Sequence, residues 1–432
     1  MDTSISYALV AIGLLIFLAH LLAFLFSRKM VPDVLMLILL GVVLGPVFGI
    51  IKPSHFGSFG PVFTTITLVV ILFEGGTTLS FATLKSAWKS TMTLALTSFF
   101  VVAVGAALIA YFLFDCTLLG SIILGAIMGN TSSAVVIPLV NKLDLGEETK
   151  TVLILESAVT DVLCIVIALA GVQAFVDGKI DLGTTVGSII ASFVLATAVG
   201  AIGAMLWSRV LSQVRNVQNS IFTTPAFVFV IYGTSELLGY NGAIASLAFG
   251  ITMANVDKFT GFFAKKILGG KGHLLNDTEL VVLKELTFLL KTFFFVYIGV
   301  SVIYEDITAI LYGLILTVAV YVIRLIIARA AHPLTANLYD KSIISLMTPK
   351  GLAAAVLATI PVHAGMPDGP IIRNVVYSVI LFSIITTSVL IMLNNKSSVV
   401  RGFYAKFFGD SAPCEEGSIE EAPVSRASRK KK

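Results

Sequence analysis

The chain has 432 residues, 57% of them hydrophobic and 12% charged, with a mean hydropathy of +0.98. An ordinary soluble domain carries about 25% charged residues, so this chain has too few to cover a water-exposed surface. Its net charge of +4 is no argument for a nucleic-acid partner, and none is expected.

Apolar runs of about 20 residues, the length that crosses a bilayer as a helix, recur thirteen times. They fall at 5–26, 33–51, 62–80, 90–113, 118–140, 151–176, 184–207, 220–238, 241–256, 281–303, 307–330, 341–363 and 371–393. The predicted class is an all-α polytopic membrane protein with thirteen transmembrane helices in residues 1–395. The first run has no basic stretch before it and no small-residue cleavage site, so it reads as a span rather than a signal peptide. The third run carries Glu74 in "LFEGG". The fifth is interrupted by "GNTSSAVVIP", with small or polar residues from Gly129 to Ser133. The sixth, "LILESAVTDVLCIV", contains Glu156 and Asp161. The tenth holds Lys291 and the eleventh Arg324, in "YVIRLII". The twelfth contains "MTPKGLAAAV", where Pro349 and Gly351 flank Lys350. Residues 396–432 read as a disordered cytoplasmic tail, and the last two dozen are polar enough to stay solvated.

Loop charge sets an orientation, because cytoplasmic loops carry the excess of Lys and Arg. With the N-terminus outside, 22 of the 29 basic residues fall inside, against Lys52, Lys179 and Arg373 outside. A wrong span count would scramble this asymmetry. Cys116, Cys164 and Cys414 have no metal-site spacing and suggest no disulfide framework.

The interruptions in the fifth and twelfth runs lie seven spans apart, so those helices run in opposite directions. Proline removes a backbone donor and glycine weakens a helix. Backbone freed at membrane depth is tolerated only where it is buried in protein or lines a wet cavity. If runs one to six and eight to thirteen are repeats joined by the seventh, the two six-helix repeats are inverted. Paired interrupted helices at corresponding positions mark the midplane site of a secondary transporter. A single such segment reads more simply as a small-residue packing face.

Ionisable groups at mid-bilayer cost about 2.5–3.5 kcal/mol on insertion scales, which makes them functional candidates. The deep set is Glu74, Glu156, Asp161, Lys291, Arg324 and Lys350; Lys284, Glu285 and Glu236 lie near span ends and read as local partners. On a helix, Ser157 and Asp161 share one face, whereas Glu156 and Thr160 occupy another. The two acids therefore do not form one pair. Arg324 is the natural partner for Glu156, since a buried guanidinium needs a carboxylate. Asp161 is then the working group, the alternative being a simple pair with Lys291 or Lys350. A carboxylate with hydroxyls and opened backbone suits a small hard cation. Because burial disfavours a bare carboxylate, a proton and a cation can compete for Asp161, which suffices for antiport. An ion channel lacks a repeated filter-like loop here. An intramembrane enzyme lacks a metal-ligand cluster among the five histidines and a convincing nucleophile–base pair.

At these residues the chain resembles the NhaP/NHE branch of the monovalent cation–proton antiporters. "LESAVTD" is similar to that branch's Glu-Ser-x-x-Asn-Asp signature at Glu156, Ser157 and Asp161. "ILFEGG" matches its Phe-Glu-Gly segment at Glu74, Arg324 its late-helix arginine, and "PKGLAAAV" its Arg-Gly motif with Lys350 in place of Arg. The resemblance implies a thirteen-helix homodimer in the cell membrane, exchanging Na⁺ or Li⁺ for H⁺. Its moving core would be about 90–176 and 307–393, with two broken helices crossing inside it. Its dimerisation scaffold would be about 1–80 and 184–303. It also implies a cation site at Asp161, Ser157 and the Thr131 backbone, with Glu74 nearby, Thr160 and Ser132 flanking it, and Lys350 compensating the broken helices. No cofactor is implied beyond the transported ions. Two departures stand out. The family's Thr-Asp-Pro is here Thr131-Ser132-Ser133, a feature similar to the KefC-like branch that raises a K⁺/H⁺ alternative. Thr160 replaces an Asn and leaves one carboxylate where electrogenic relatives have two, so exchange is expected to be electroneutral.

Overall fold

The computed structural model describes residues 3–26, 33–51, 59–79, 81, 88–178, 182–217, 220–258, 274–301, 306–331 and 336–409. These form sixteen α-helices and, among the described residues, no strand. Helix α1 is Thr3–Phe26 and α2 is Asp33–Val42, which closes in a π-helical turn, Val43–Val47, containing Pro46. Next come α3 (Phe59–Thr77) and α4 (Trp88–Leu113). The fifth apolar run is two helices, α5 (Leu118–Gly129) and α6 (Ser133–Lys142), and α7 is Glu147–Asp177. Helices α8 (Leu182–Val214), α9 (Thr223–Leu237), α10 (Gly242–Ala254) and α11 (Asp277–Ser301) follow. Then come α12 (Ile307–Ala330), the split pair α13 (Leu338–Leu346) and α14 (Leu352–His363), α15 (Gly369–Lys396) and α16 (Ser398–Phe408).

Five described stretches, 88–113, 147–176, 191–214, 307–330 and 369–396, are each long and apolar enough to cross a membrane. Several helix starts carry the polar caps that orphan N–H groups need. Thr117 caps α5, Asn241 caps α10, Asp306 caps α12 and Asn337 caps α13. At α11, Asn276 and Glu279 cap each other reciprocally at 2.8 Å, and Arg215 from the end of α8 forks onto the same Glu279. One expectation is corrected: the tail begins as helix α16, because Tyr404 is buried against the bundle rather than left in solvent. Residues 410–432 lie outside the described residues, as do several loop charges used for orientation, including Arg28, Lys29, Lys52, Lys85 and Lys179.

Helix α5 packs on α4 and α7, α12 on α4 and α15, and α14 on α15 and α7. A second group joins α10 to α3, α8 and α9 around Val69, Phe73, Ala245 and Phe249. Two contacts, one exposed and one buried, pin the ends of the split helices. Asp368, at the start of α15, accepts the Thr117 N–H at 3.0 Å and the Thr117 hydroxyl. Asp340, at the start of α13, accepts from the Gly146 N–H at 3.2 Å and Thr149 Oγ1 at 2.7 Å, at the start of α7. Each split helix is thereby tied to a long helix that carries site residues or packs on them.

Helices α2 and α11 approach closely because both lack a side chain where they cross. A Cβ on Gly41 would run into the Val296 carbonyl, and one on Gly299 into that of Ile38. Small residues at such crossings let apolar helices associate in lipid. Gly299→Leu is therefore expected to lower the thermal midpoint of the detergent-purified protein, overpacking costing roughly 1–3 kcal/mol. Gly233→Ala, where a Cβ meets nothing within 4 Å, should leave the midpoint unchanged in the same thermal-shift assay.

Candidate functional site

The site begins with two places where the helices stop. Between α5 and α6 the backbone is extended at Asn130 (ψ 163°) and Ser132 (ψ 113°). Between α13 and α14 it is opened from Met347 to Gly351, where Pro349 has no N–H to donate and pushes Thr348 towards an extended conformation. Both gaps are buried, and they touch. The Ser132 N–H donates to the Pro349 carbonyl at 2.9 Å. The Lys350 N–H donates to Ser383 Oγ at 3.0 Å, and the Thr131 N–H to Thr160 Oγ1 at 3.1 Å. Gly351 permits this approach, since a Cβ there would collide with Ser132 Oγ.

The cut ends carry helix-dipole charge, negative at C-termini and positive at N-termini. Lys350 is fully buried and its ammonium donates to the Asn130 carbonyl, at the C-terminal end of α5, and to Thr348 Oγ1 at 3.3 Å. Arg324 is also fully buried. Its Nε donates to the Ile344 carbonyl in the last turn of α13 at 3.0 Å. Its two terminal nitrogens fork onto Glu156, one at 2.6 Å to Oε2 and one to Oε1, and the second also reaches Ser98 Oγ. Each exposed C-terminal end thus meets a buried cation.

Asp161 sits at the N-terminal end of α6. Its Oδ1 accepts from Asn130 Nδ2 at 3.0 Å and its Oδ2 from Ser133 Oγ at 2.8 Å. Ser133 Oγ also lies 3.0 Å from Ser157 Oγ, so Ser157 and Asp161 present oxygen to one point. Asn130 Oδ1 is buried beside them with no partner among the described residues. Among those residues, no ion pair within 4 Å joins Asp161 to a lysine. A cavity of about 30 Å³ reaches Asp161, lined by Leu68, Leu72, Gly75, Ser132, Ser133 and Leu352 among others. That is room for a water or two, or a cation with part of its shell. A second cavity of about 490 Å³ shares Leu68 but not Asp161 and is lined towards the other helix ends by Glu236, His363 and Arg373.

Several expected ligands stand elsewhere. Thr131 bonds Thr160 through its backbone N–H, while the Thr160 hydroxyl turns to the Ser157 carbonyl at 3.2 Å; neither side chain bonds Asp161 among the described residues. Ser132 lines the cavity, yet its hydroxyl is packed at Gly351. Glu74 is not among the residues lining the cavity at Asp161: it lies towards Thr287 and Lys291 on α11. Glu236 accepts from the Gly242 N–H at 2.7 Å, a local helix-start contact. Asn130 and Ser133, absent from the expected ligand set, make the side-chain hydrogen bonds to Asp161 among the described residues. Their three-residue spacing across "NTSS" was the available signal, since it brackets the break.

A family model described as "Sodium/hydrogen exchanger, transmembrane" matches residues 13–394. The chain belongs to this family. It is 26% identical over 375 residues to a protein of Shewanella baltica (strain OS223) named "K(+)/H(+) antiporter NhaP2", covering 83% of this chain. The NhaP2 of Shewanella sp. (strain ANA-3) is 25% identical over 369 residues. The chain spans 61% of the length of each of these relatives. Its fold is similar to that of the sodium proton antiporter MjNhaP1 from Methanocaldococcus jannaschii at pH 8, with a TM-score of 0.71 and 19% identity. That likeness covers 90% of this chain and 100% of the other.

The buried fork yields a stability prediction. Removing one partner of a buried pair costs roughly 3–5 kcal/mol because the other charge is stranded. Arg324→Ala and Glu156→Gln are each expected to lower folded yield and thermal midpoint strongly. The double replacement Glu156→Leu with Arg324→Met should recover part of the loss in fluorescence size-exclusion thermal assays. Recovery stays partial, because Ser98 and the Ile344 carbonyl lose their donor.

Proposed function

We propose that the chain is a secondary active transporter, not an enzyme, which exchanges Na⁺ or Li⁺ for H⁺ at Asp161 by alternating access. The single observation that carries this reading is a buried carboxylate between two broken helices, with an unmatched amide oxygen and two hydroxyls beside it. Hard monovalent cations take oxygen donors, and a proton can take the same carboxylate. Either ligand neutralises the site, and competition between them couples the two fluxes. Asp161, Ser133, Ser157 and Asn130 Oδ1 are the proposed ligands. Glu156 with Arg324, and Lys350, hold the framework. Cavities towards opposite helix ends that share Leu68 suit a site reached from one side at a time.

The same reading takes in thirteen spans as two inverted six-helix repeats, the N-terminus outside and the C-terminus in the cytoplasm. It assigns residues 90–176 and 307–393 to a moving core, and 1–80 and 184–303 to the scaffold of a homodimer in the cell membrane. The second reading is K⁺/H⁺ exchange, favoured by the names of the Shewanella relatives and by Ser132 standing where the family has an acid.

Everted vesicles holding an acidic interior should lose their pH gradient on addition of Na⁺ or Li⁺, and Asp161→Asn should abolish the response. Asn130→Ala and Ser133→Ala should raise the half-saturating cation concentration about tenfold each, as expected when a charged group loses a hydrogen-bonding partner. A response to K⁺ alone selects the second reading; no cation response at all rejects both.

One titrating carboxylate per cation sets the stoichiometry. Exchange is expected to be electroneutral, so clamping the membrane potential with valinomycin and K⁺ should leave the Na⁺-driven rate unchanged. A markedly faster rate under clamp would show net charge movement.

A further inference from the structure

Helix α16 lies outside everything the antiport reading uses. It starts one residue after α15 ends, at the extended Ser397, and stops at the left-handed Gly409. A helix of eleven residues is marginal on its own in water, so its surroundings must hold it. One face is held by protein. Tyr404 is 6% exposed and lies beside Ser345 in the last turn of α13, while Arg329 donates to the Phe407 carbonyl and lies 5.2 Å from its ring centroid. The neighbouring face is bare: Val399 is 79% exposed and Phe403, one turn on, 54%. Lys406 is exposed beside this apolar arc, Arg401 is exposed on the far side of the helix, and α16 contains no acid.

We propose that α16 is an interfacial helix that binds anionic phospholipid in the leaflet where α15 ends. Val399 and Phe403 enter the acyl boundary, and Lys406 beside them reaches the headgroup phosphates. This is the pattern of a surface-lying membrane helix, apolar on one arc with a basic side chain at its margin. Three observations favour lipid over a second copy of the chain. The helix begins where a membrane-spanning helix ends, so its bare face starts at the bilayer surface. Its charge is of one sign, complementary to an anionic leaflet. An isologous contact would set that same patch against itself, with like charges opposed. Through Tyr404 and Ser345 the lipid contact adjoins the second broken helix, so the leaflet helps to hold α13.

The test uses the full chain with Cys414→Ser, since Cys116 and Cys164 are buried. Phe403→Cys, or Val399→Cys as a second position, carries an environment-sensitive fluorophore in vesicles of phosphatidylcholine with phosphatidylglycerol. Either lipid in turn has brominated chains. The expected result is a blue-shifted emission, quenched more by brominated phosphatidylglycerol than by brominated phosphatidylcholine. The preference should fall roughly fivefold for Lys406→Gln, the worth of one basic residue near an anionic surface, and by less for Arg401→Gln on the far side of the helix. Quenching by aqueous iodide but not by brominated lipid overturns the proposal. So does equal quenching by both lipids. Self-quenching between labelled copies assigns the face to a dimer, and loss of shielding on truncation after Gly409 assigns it to the chain's own tail; either overturns it. None of these readouts depends on transport.

Discussion

Backbone opened inside a membrane must find its hydrogen bonds within the protein, and most of this site follows from how two openings satisfy each other. With no water to accept them, each stranded N–H or C=O costs several kcal/mol. The Ser132 N–H on the Pro349 carbonyl closes one such account across the two gaps. Thr160 and Ser383 each take one more N–H, and Lys350 takes the Asn130 carbonyl. The crossing therefore leaves little backbone unpaired, and it does so only where Gly351 allows the chains to meet. Moving either gap by one residue would strand several groups at once.

The same constraint divides the labour of the two acids on α7. Cutting two helices exposes two negative ends, and the buried cations Lys350 and Arg324 answer them. A guanidinium has five donors in a rigid fork, and Glu156 together with Ser98 and Ile344 uses most of them. Glu156 is thereby committed to the frame. Asp161, about 140° further round the same helix by the 3.6-residue period, instead faces the positive end of α6, where Ser133 begins the helix. Its charge is met by dipoles and hydrogen-bond donors that do not cancel it outright. A carboxylate held in this way keeps a use for a proton or a cation, which one locked in a fork does not.

Much of this was legible in the sequence because the membrane narrows the choices. Apolar run lengths, Pro349 with Gly351, and the small polar residues at 129–133 marked helices and their breaks without reference to tertiary structure. Counting charges that need opposite partners at depth brought Glu156 to Arg324. What stayed hidden depends on rotation and register. Glu74 shares a helix with the residues lining the cavity at Asp161, yet its side chain meets Thr287 and Lys291 instead. Ser132 and Ser133 are indistinguishable by composition. Only the residue at which α6 starts decides that Ser133 faces Asp161 while Ser132 is packed at Gly351. Helix α16 was missed because "SVVRGFYAKFF" is short and charged at intervals, and its order comes from Tyr404 lodging beside α13 rather than from propensity.

That register also decides what the site can do chemically. A carboxylate needs donors around it, and a carboxylic acid needs at least one acceptor, so a residue that holds both must be ringed by groups that can reverse. Asn130 has an amide with a donor at one end and an acceptor at the other; Ser133 and Ser157 have hydroxyls that are both. As arranged, the Asn130 nitrogen and the Ser133 hydroxyl point their hydrogens at Asp161, which matches the charged form. Turning the amide over presents Oδ1 to a protonated Asp161, and rotating the hydroxyls frees their lone pairs for a cation. None of these changes moves backbone, so the crossing of the two breaks survives all of them. An aspartate at position 132 or 133 would add a second charge and remove this symmetry. Serine in both places keeps one carboxylate, served in either state by the same neighbours.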